Sequence, residues 1–107
     1  MIVRTWRGAV RIEDADEYLA YVTETGLKGY RSTPGNLGAY ALRRDVDGLC
    51  ELTTVSFWES REAIKAFAGE DIGRARFYPE DDRFLVNRDL TVNHYEMVWS
   101  DLDRLPG

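Results

Sequence analysis

The segment from Glu51 to Gly69 sets the strongest constraint on the fold. In Glu51-Leu52-Thr53-Thr54-Val55-Ser56-Phe57-Trp58, β-branched and aromatic residues follow a period of two, which places Thr53, Val55 and Phe57 on one side and Leu52, Thr54, Ser56 and Trp58 on the other. That pattern predicts a strand. Ser60 follows as a helix N-cap, Glu62 sits where the helix dipole favours an acid, Ile64, Phe67 and Ala68 form an apolar stripe, and Gly69 is a natural stop. A one-sided helix has to lie on a sheet. The expectation is that it covers the Val55 and Phe57 face, leaving Thr54, Ser56 and Trp58 on the other.

The rest of the chain supplies partners for this unit. Ile2 to Val10 alternates and predicts a first strand; Asp14 to Thr25 predicts a helix, with Asp14 and Glu17 in capping-box spacing, Ala15, Tyr18, Leu19 and Val22 in one stripe, and Gly26 at the end. Leu27 to Asn36, with Gly29, Pro34 and Gly35, reads as a loop. Leu37 to Arg44 alternates again, and Asp47-Gly48 allows the positive φ of a hairpin turn into the third strand. Glu70 to Tyr78 suggests a short helical piece, Glu80 to Arg83 a charged connector, and Asn87 to Trp99 a last strand. Two strand-helix-strand crossovers joined by a hairpin predict an α+β, ferredoxin-like βαββαβ sandwich with an antiparallel sheet and both helices on one face.

Composition narrows the function classes. A chain of 107 residues fits a single domain, residues 1–107. The net charge of −5, with basic and acidic residues interspersed, argues against nucleic acid and membrane surfaces as partners. No apolar run approaches the roughly 20 residues of a membrane span, and the first residues lack the core of a signal peptide, so a cytoplasmic location is expected. The lone Cys50 and lone His94 exclude an internal disulfide and make a structural zinc site untenable, so no metal site is expected.

Alternation assigns Arg4, Trp6, Tyr40, Leu42, Leu52, Thr54, Ser56, Trp58 and His94 to the sheet face without helices. An apolar patch of that size calls for cover, and a second copy of the sheet is the economical one, giving a homodimer closed into an α/β barrel. The polar members of the patch suggest a cavity rather than a solid core.

Three stretches carry a family resemblance: Thr33-Pro34-Gly35-Asn36-Leu37-Gly38, Phe57-Trp58-Glu59-Ser60-Arg61-Glu62-Ala63 and Val92-Asn93-His94-Tyr95-Glu96. Together they resemble the antibiotic biosynthesis monooxygenase domain over nearly the whole chain. The resemblance implies a dimeric α/β barrel of a family that includes oxygenases of anthrone-type aromatics using neither metal nor flavin, quinol-oxidising enzymes and haem-degrading enzymes. The haem-degrading branch uses an Asn on the first strand, a Trp on the second helix and a His after it; the corresponding places here look like Trp6, Phe67 and Phe77-Tyr78. These departures argue against haem degradation.

The implied function is a cofactor-independent monooxygenase-like protein acting on a small aromatic or quinol-type molecule, with a non-catalytic dimeric binder as the alternative. His94, the side chain that titrates near neutral pH, is the candidate base, and Arg4 the candidate holder of an enolate or phenolate. Each has a structural alternative, a satisfied strand histidine and a salt bridge at the dimer seam. Trp6 and Trp58 could sandwich a flat substrate or simply pack; Tyr40, Thr54, Ser56 and Tyr78 complete the candidate substrate-binding set. Tyr78 to Asp81 reads as a capped turn with solvated acids rather than a lid, Cys50 as a structural thiol, and Gly29, Gly35 and Gly38 as turn residues.

Overall fold

A computed structural model describes residues 1–104. Its sheet has the order β2 (Asn36–Val46), β3 (Leu49–Trp58), β1 (Ile2–Arg11), β4 (Leu85–Arg88), with β5 (Asn93–Glu96) also paired to β1, and every pairing is antiparallel. This is the ferredoxin-like arrangement. The last strand comes in two pieces: β4 lies along Gly8 to Val10 and β5 along Ile2 to Thr5. Between them the chain leaves the ladder so that Leu90 and Val92 can bond the 73–75 segment, through Ala75 N–H to Leu90 O and Val92 N–H to Gly73 O. Residues 70–78 are therefore irregular rather than helical, with a turn at 72–73 and an isolated bridge at Arg74, and a single helical turn, Asp81–Phe84, stands where a charged connector was expected.

The β2–β3 turn is as expected, with Asp47 and Gly48 both at positive φ, 53° and 76°. The first helix departs from expectation at both ends. A 3-10 turn, Ile12–Asp14, leads into α1 (Ala15–Val22), and the Asp14 side chain caps nothing. Gly26 does not stop the helix; the rod continues through a π-helical turn, Thr23–Leu27, into α2 (Lys28–Ser32), with the joining residues Val22, Leu27 and Lys28 all in helical backbone geometry. The wide turn keeps Val22 and Leu27, five residues apart, near the core beside Tyr18 and Tyr30, so the apolar stripe outlasts the glycine. Thr33, extended before Pro34, ends it. In α3 (Arg61–Ala68) the Ser60 hydroxyl accepts the Ala63 N–H at 3.2 Å and Gly69 stops the helix at φ 89°.

The helices cover the opposite sheet face from the one expected. Val10, Cys50, Leu52, Phe84 and Leu85 pack with Tyr18 and Val22, while Ile2 and Trp58 pack with Tyr30, Ile64 and Phe67. Both faces of β3 are apolar, so period two alone could not choose between them, and the polar Arg4, Thr54 and Ser56 favoured the wrong one. Those polar groups are satisfied inside instead: Trp58 Nε1–H donates to Ser56 Oγ at 2.8 Å, and the Tyr30 and Thr54 hydroxyls share a bond at 3.3 Å. The helix-free face carries Val3, Tyr40, Leu42, Val55, Phe57 and Tyr95, and the 97–102 segment runs over Val55 and Phe57.

Candidate functional site

A cavity lies between the sheet and the helical rod, lined by residues of β1 and β3, of the rod with its π-helical turn, by Phe67 and by Ala75, Arg76, Tyr78 and Asp81. Its volume is about 40 Å³, room for water but far below the several hundred Å³ that enclose a ring-sized ligand. A ring-sized ligand therefore requires the cavity to widen.

Arg4 dominates the chemistry of the cavity. Its place as the third residue of the central strand β1, facing the helices, buries it to 2% exposure, yet among the described residues no carboxylate forms an ion pair with it. Nη1 donates to Ile72 O at 2.6 Å, Nη2 donates to Arg74 O at 3.2 Å, and Nε has no partner. Burial lowers its pKa, an effect the Tyr30 hydroxyl partly offsets. A buried cation compensated by neutral carbonyls has an unmet demand for negative charge.

His94 lies opposite Arg4 in the β1–β5 pair, with Nε2 at 3.1 Å from Arg4 Nη1. An arginine can only donate, so Nε2 accepts and the ring proton sits on Nδ1. Burial first, then the charges of Arg4 and Arg61, pull the imidazole down to about 4. His94 is thus a neutral ring whose acceptor is already filled, and it positions Arg4.

The lining of the cavity also includes a buried acid. Asp81, at 6% exposure, accepts the Tyr18 hydroxyl on Oδ1 at 3.0 Å and the Tyr78 N–H on Oδ2 at 2.7 Å. Tyr78 rests on the rod at its two glycines: a Cβ on Gly29 would stand 2.9 Å from the Tyr78 hydroxyl and 3.1 Å from Phe67. Gly29 is therefore a helix residue that permits close approach, where a turn residue was expected. Arg76 reaches Phe67 O at 2.8 Å and lies over both the Phe67 and Tyr78 rings, at 5.0 and 4.9 Å.

Of the residues singled out from sequence, Arg4, Trp6, Thr54 and Tyr78 line this one cavity. Trp6 has its indole N–H bonded to Asp89 O at 2.9 Å. Trp58 and Ser56 are fully buried in the core behind it, so the expected sandwich of Trp6 and Trp58 does not form. Tyr40 lies on the opposite sheet face, against Phe57. Cys50 is buried, with its thiol pKa raised by desolvation. Tyr18, Tyr30, Phe67 and Asp81 were missed: Tyr18 and Phe67 read as helix stripes, Tyr30 fell in a stretch read as a loop, and Asp81 was hidden in a run of acids that looked solvated. The 78–81 turn is as expected, closed by Asp81 N–H to Tyr78 O at 3.0 Å, but its acid at 81 faces inward.

Comparison with known proteins bears on this geometry. The family model described as antibiotic biosynthesis monooxygenase matches residues 1–75. Among curated proteins nothing matches the chain. Among solved structures, the chain is similar to a Bacillus cereus protein assigned to antibiotic biosynthesis monooxygenases, at TM-score 0.65 and 21% identity over 94% of each chain. It is also similar to the haem-degrader MhuD of Mycobacterium tuberculosis, solved with two haems in its active site, at TM-score 0.60 and 23% identity over 94% of this chain and 98% of that one. A second M. tuberculosis protein matches at TM-score 0.59 and 16% identity over 94% and 97%. At these identities the likeness is one of fold.

Proposed function

The chain belongs to the antibiotic biosynthesis monooxygenase family, and from that premise we propose that it is a cofactor-independent, monooxygenase-like protein acting on a small aromatic or quinol-type molecule. The observation that carries this reading is Arg4, a buried cation with no carboxylate partner among the described residues, in the wall of a cavity lined with aromatic rings. An aromatic substrate with an acidic O–H or C–H becomes an anion when that proton leaves. Arg4 then supplies the charge the anion needs, in a site where low dielectric strengthens the attraction. The resulting electron-rich anion is the species that reacts with dioxygen. Trp6, Phe67 and Tyr78 offer faces for the ring, and Thr54 and Tyr30 offer hydroxyls beside Arg4.

Assembly is the second part of the proposal. On the helix-free face Tyr40, Leu42, Tyr95 and Trp99 are 41%, 52%, 55% and 77% exposed. A second copy covering that face makes the homodimeric barrel. The patch differs from the one expected from sequence, since Trp6 and Trp58 lie on the far side of the sheet.

One observation favours a dimeric small-molecule binder without turnover: the imidazole expected to act as base has its acceptor nitrogen filled by Arg4. Oxygen uptake separates the two readings. With a panel of anthrones and quinols in air, the oxygenase consumes oxygen in proportion to substrate lost. Saturable binding of panel members without uptake supports the binder.

A further inference from the structure

The proposed function leaves the removal of the substrate proton unassigned, and His94 is unsuited to it. His94 is not among the residues that line the cavity, whose lining includes one carboxylate, Asp81. Asp81 is buried, lines the same cavity as Arg4, and is held by two donors, the Tyr18 hydroxyl and the Tyr78 N–H, one on each carboxylate oxygen. Each oxygen therefore keeps a lone pair. Among the described residues no lysine or arginine forms an ion pair with it, because the nearby cations are engaged elsewhere: Arg83 with Glu17 and Glu80, Arg88 with Asp82. Burial and the charge of Asp81 raise the pKa of Tyr18, which keeps that hydroxyl protonated and donating. Asp81 also lies beyond residues 1–75, the part of the chain that the family model matches.

Resting on the function proposed above, we propose that Asp81 is the proton acceptor of this cavity, working against Arg4 across the bound ring. The substrate O–H or acidic C–H bond breaks, a new O–H bond forms on a carboxylate oxygen of Asp81, and the electron pair stays on the substrate as an anion whose oxygen Arg4 holds. Dioxygen is the oxidant for the steps that follow. Asp81 on the 81–84 turn and Arg4 on β1 line the same cavity from different elements, so one bound ring can reach both the base and the cation. Neither group neutralises the other before substrate arrives.

The test uses anthrone and three proteins, wild type, Asp81→Asn and Asp81→Ala, the last with and without added formate. Two rates are read, deuterium exchange at the acidic ring carbon in heavy water under argon, and oxygen uptake in air. Asn removes the basic carboxylate but keeps a single oxygen acceptor for the two donors Tyr18 O–H and Tyr78 N–H, so its rates are normalised to folded protein and read beside formate rescue of Asp81→Ala. Asp81→Asn is expected to slow both rates by roughly 10²–10⁴-fold. Formate is expected to restore part of the Asp81→Ala rate saturably, which a purely architectural carboxylate does not do. If Asp81→Ala fails to fold, Asp81→Asn decides alone. Wild-type oxygen uptake with an unchanged Asp81→Asn exchange rate overturns the assignment of Asp81 and leaves the oxygenase reading standing. Asp81-dependent exchange without oxygen uptake supports the assignment and overturns the oxygenase reading. A wild type with neither rate overturns both.

Discussion

Arg4 and His94 face each other across the β1–β5 pair, and the arginine donates to His94 Nε2 at 3.1 Å. A proton on that nitrogen would set two cations against each other inside the fold. The consequence is an acid-sensitive contact. The unfolded chain binds a proton at about pH 6.5, whereas the folded imidazole, lowered by burial and by Arg4, waits until about 4. Between those values the unfolded state holds more protons, so stability falls as pH drops through the window and is unaffected above it. His94→Gln retains an acceptor for Arg4 and cannot titrate. Urea unfolding from about pH 7 to about pH 4 should show wild type losing stability relative to His94→Gln. Parallel curves would place the imidazole outside this contact.

The homodimer prediction rests on Leu42, 52% exposed beside Tyr40 on the helix-free face. Leu42→Glu puts an unpaired carboxylate into a dry contact if that face is covered by a second copy. Sedimentation should give a dimer for wild type and a monomer or insoluble protein for the variant. A wild-type monomer at micromolar concentration contradicts the barrel.

Gly29 makes room for Tyr78, so Gly29→Ala should push the Tyr78 hydroxyl away from the rod. Overpacking costs about 1–3 kcal/mol, and the helix preference for Ala returns about 1 kcal/mol of it. A net loss of about 1 kcal/mol is expected on these figures. Tyr78→Phe removes the nearest clashing atom and should stabilise the Gly29→Ala protein more than it does wild type. Additive effects in that cycle would show that the two residues do not touch.

Haem provides a contrast within the fold. Trp6 and Phe67 both line the cavity at the places where the resemblance sets Asn and Trp, and Phe67 is packed against Tyr30 at 4.6 Å and under Arg76 at 5.0 Å. Titrated haem with a reductant should give no ring-opened product. Reductant-dependent ring cleavage would make haem the substrate.

The legible parts of this chain were those with local chemistry. Ser60 and Gly69 bracket α3 as their types dictate, and Asp47-Gly48 turns the hairpin. The illegible parts depended on tertiary partners. Gly26 signals a helix end locally, but the rod persists because Leu27 and Tyr30 continue the buried stripe beyond it. The choice of sheet face went wrong because Leu52 and Trp58 are as apolar as Val55 and Phe57, and because Arg4, Thr54 and Ser56 find their partners only once distant segments arrive. That Arg4 and His94 share a sheet face was legible from alternation; which face it is, their direct pairing and the direction of their hydrogen bond, and so the histidine's role, were not. Asp81 left no signal beyond its membership of an acidic run.

The central claim is that the buried charge of Arg4 holds a substrate anion, and oxygen uptake with anthrone by wild type, Arg4→Lys and Arg4→Met tests it most directly. Arg4→Met leaves the Ile72 and Arg74 carbonyls without their donor, so rates are normalised to folded protein. The account predicts that Arg4→Met loses roughly 10²–10³-fold in kcat, the usual cost of removing one donor to a developing anion, while Arg4→Lys retains an intermediate rate through its charge. Uptake by folded Arg4→Met at the wild-type rate would contradict it.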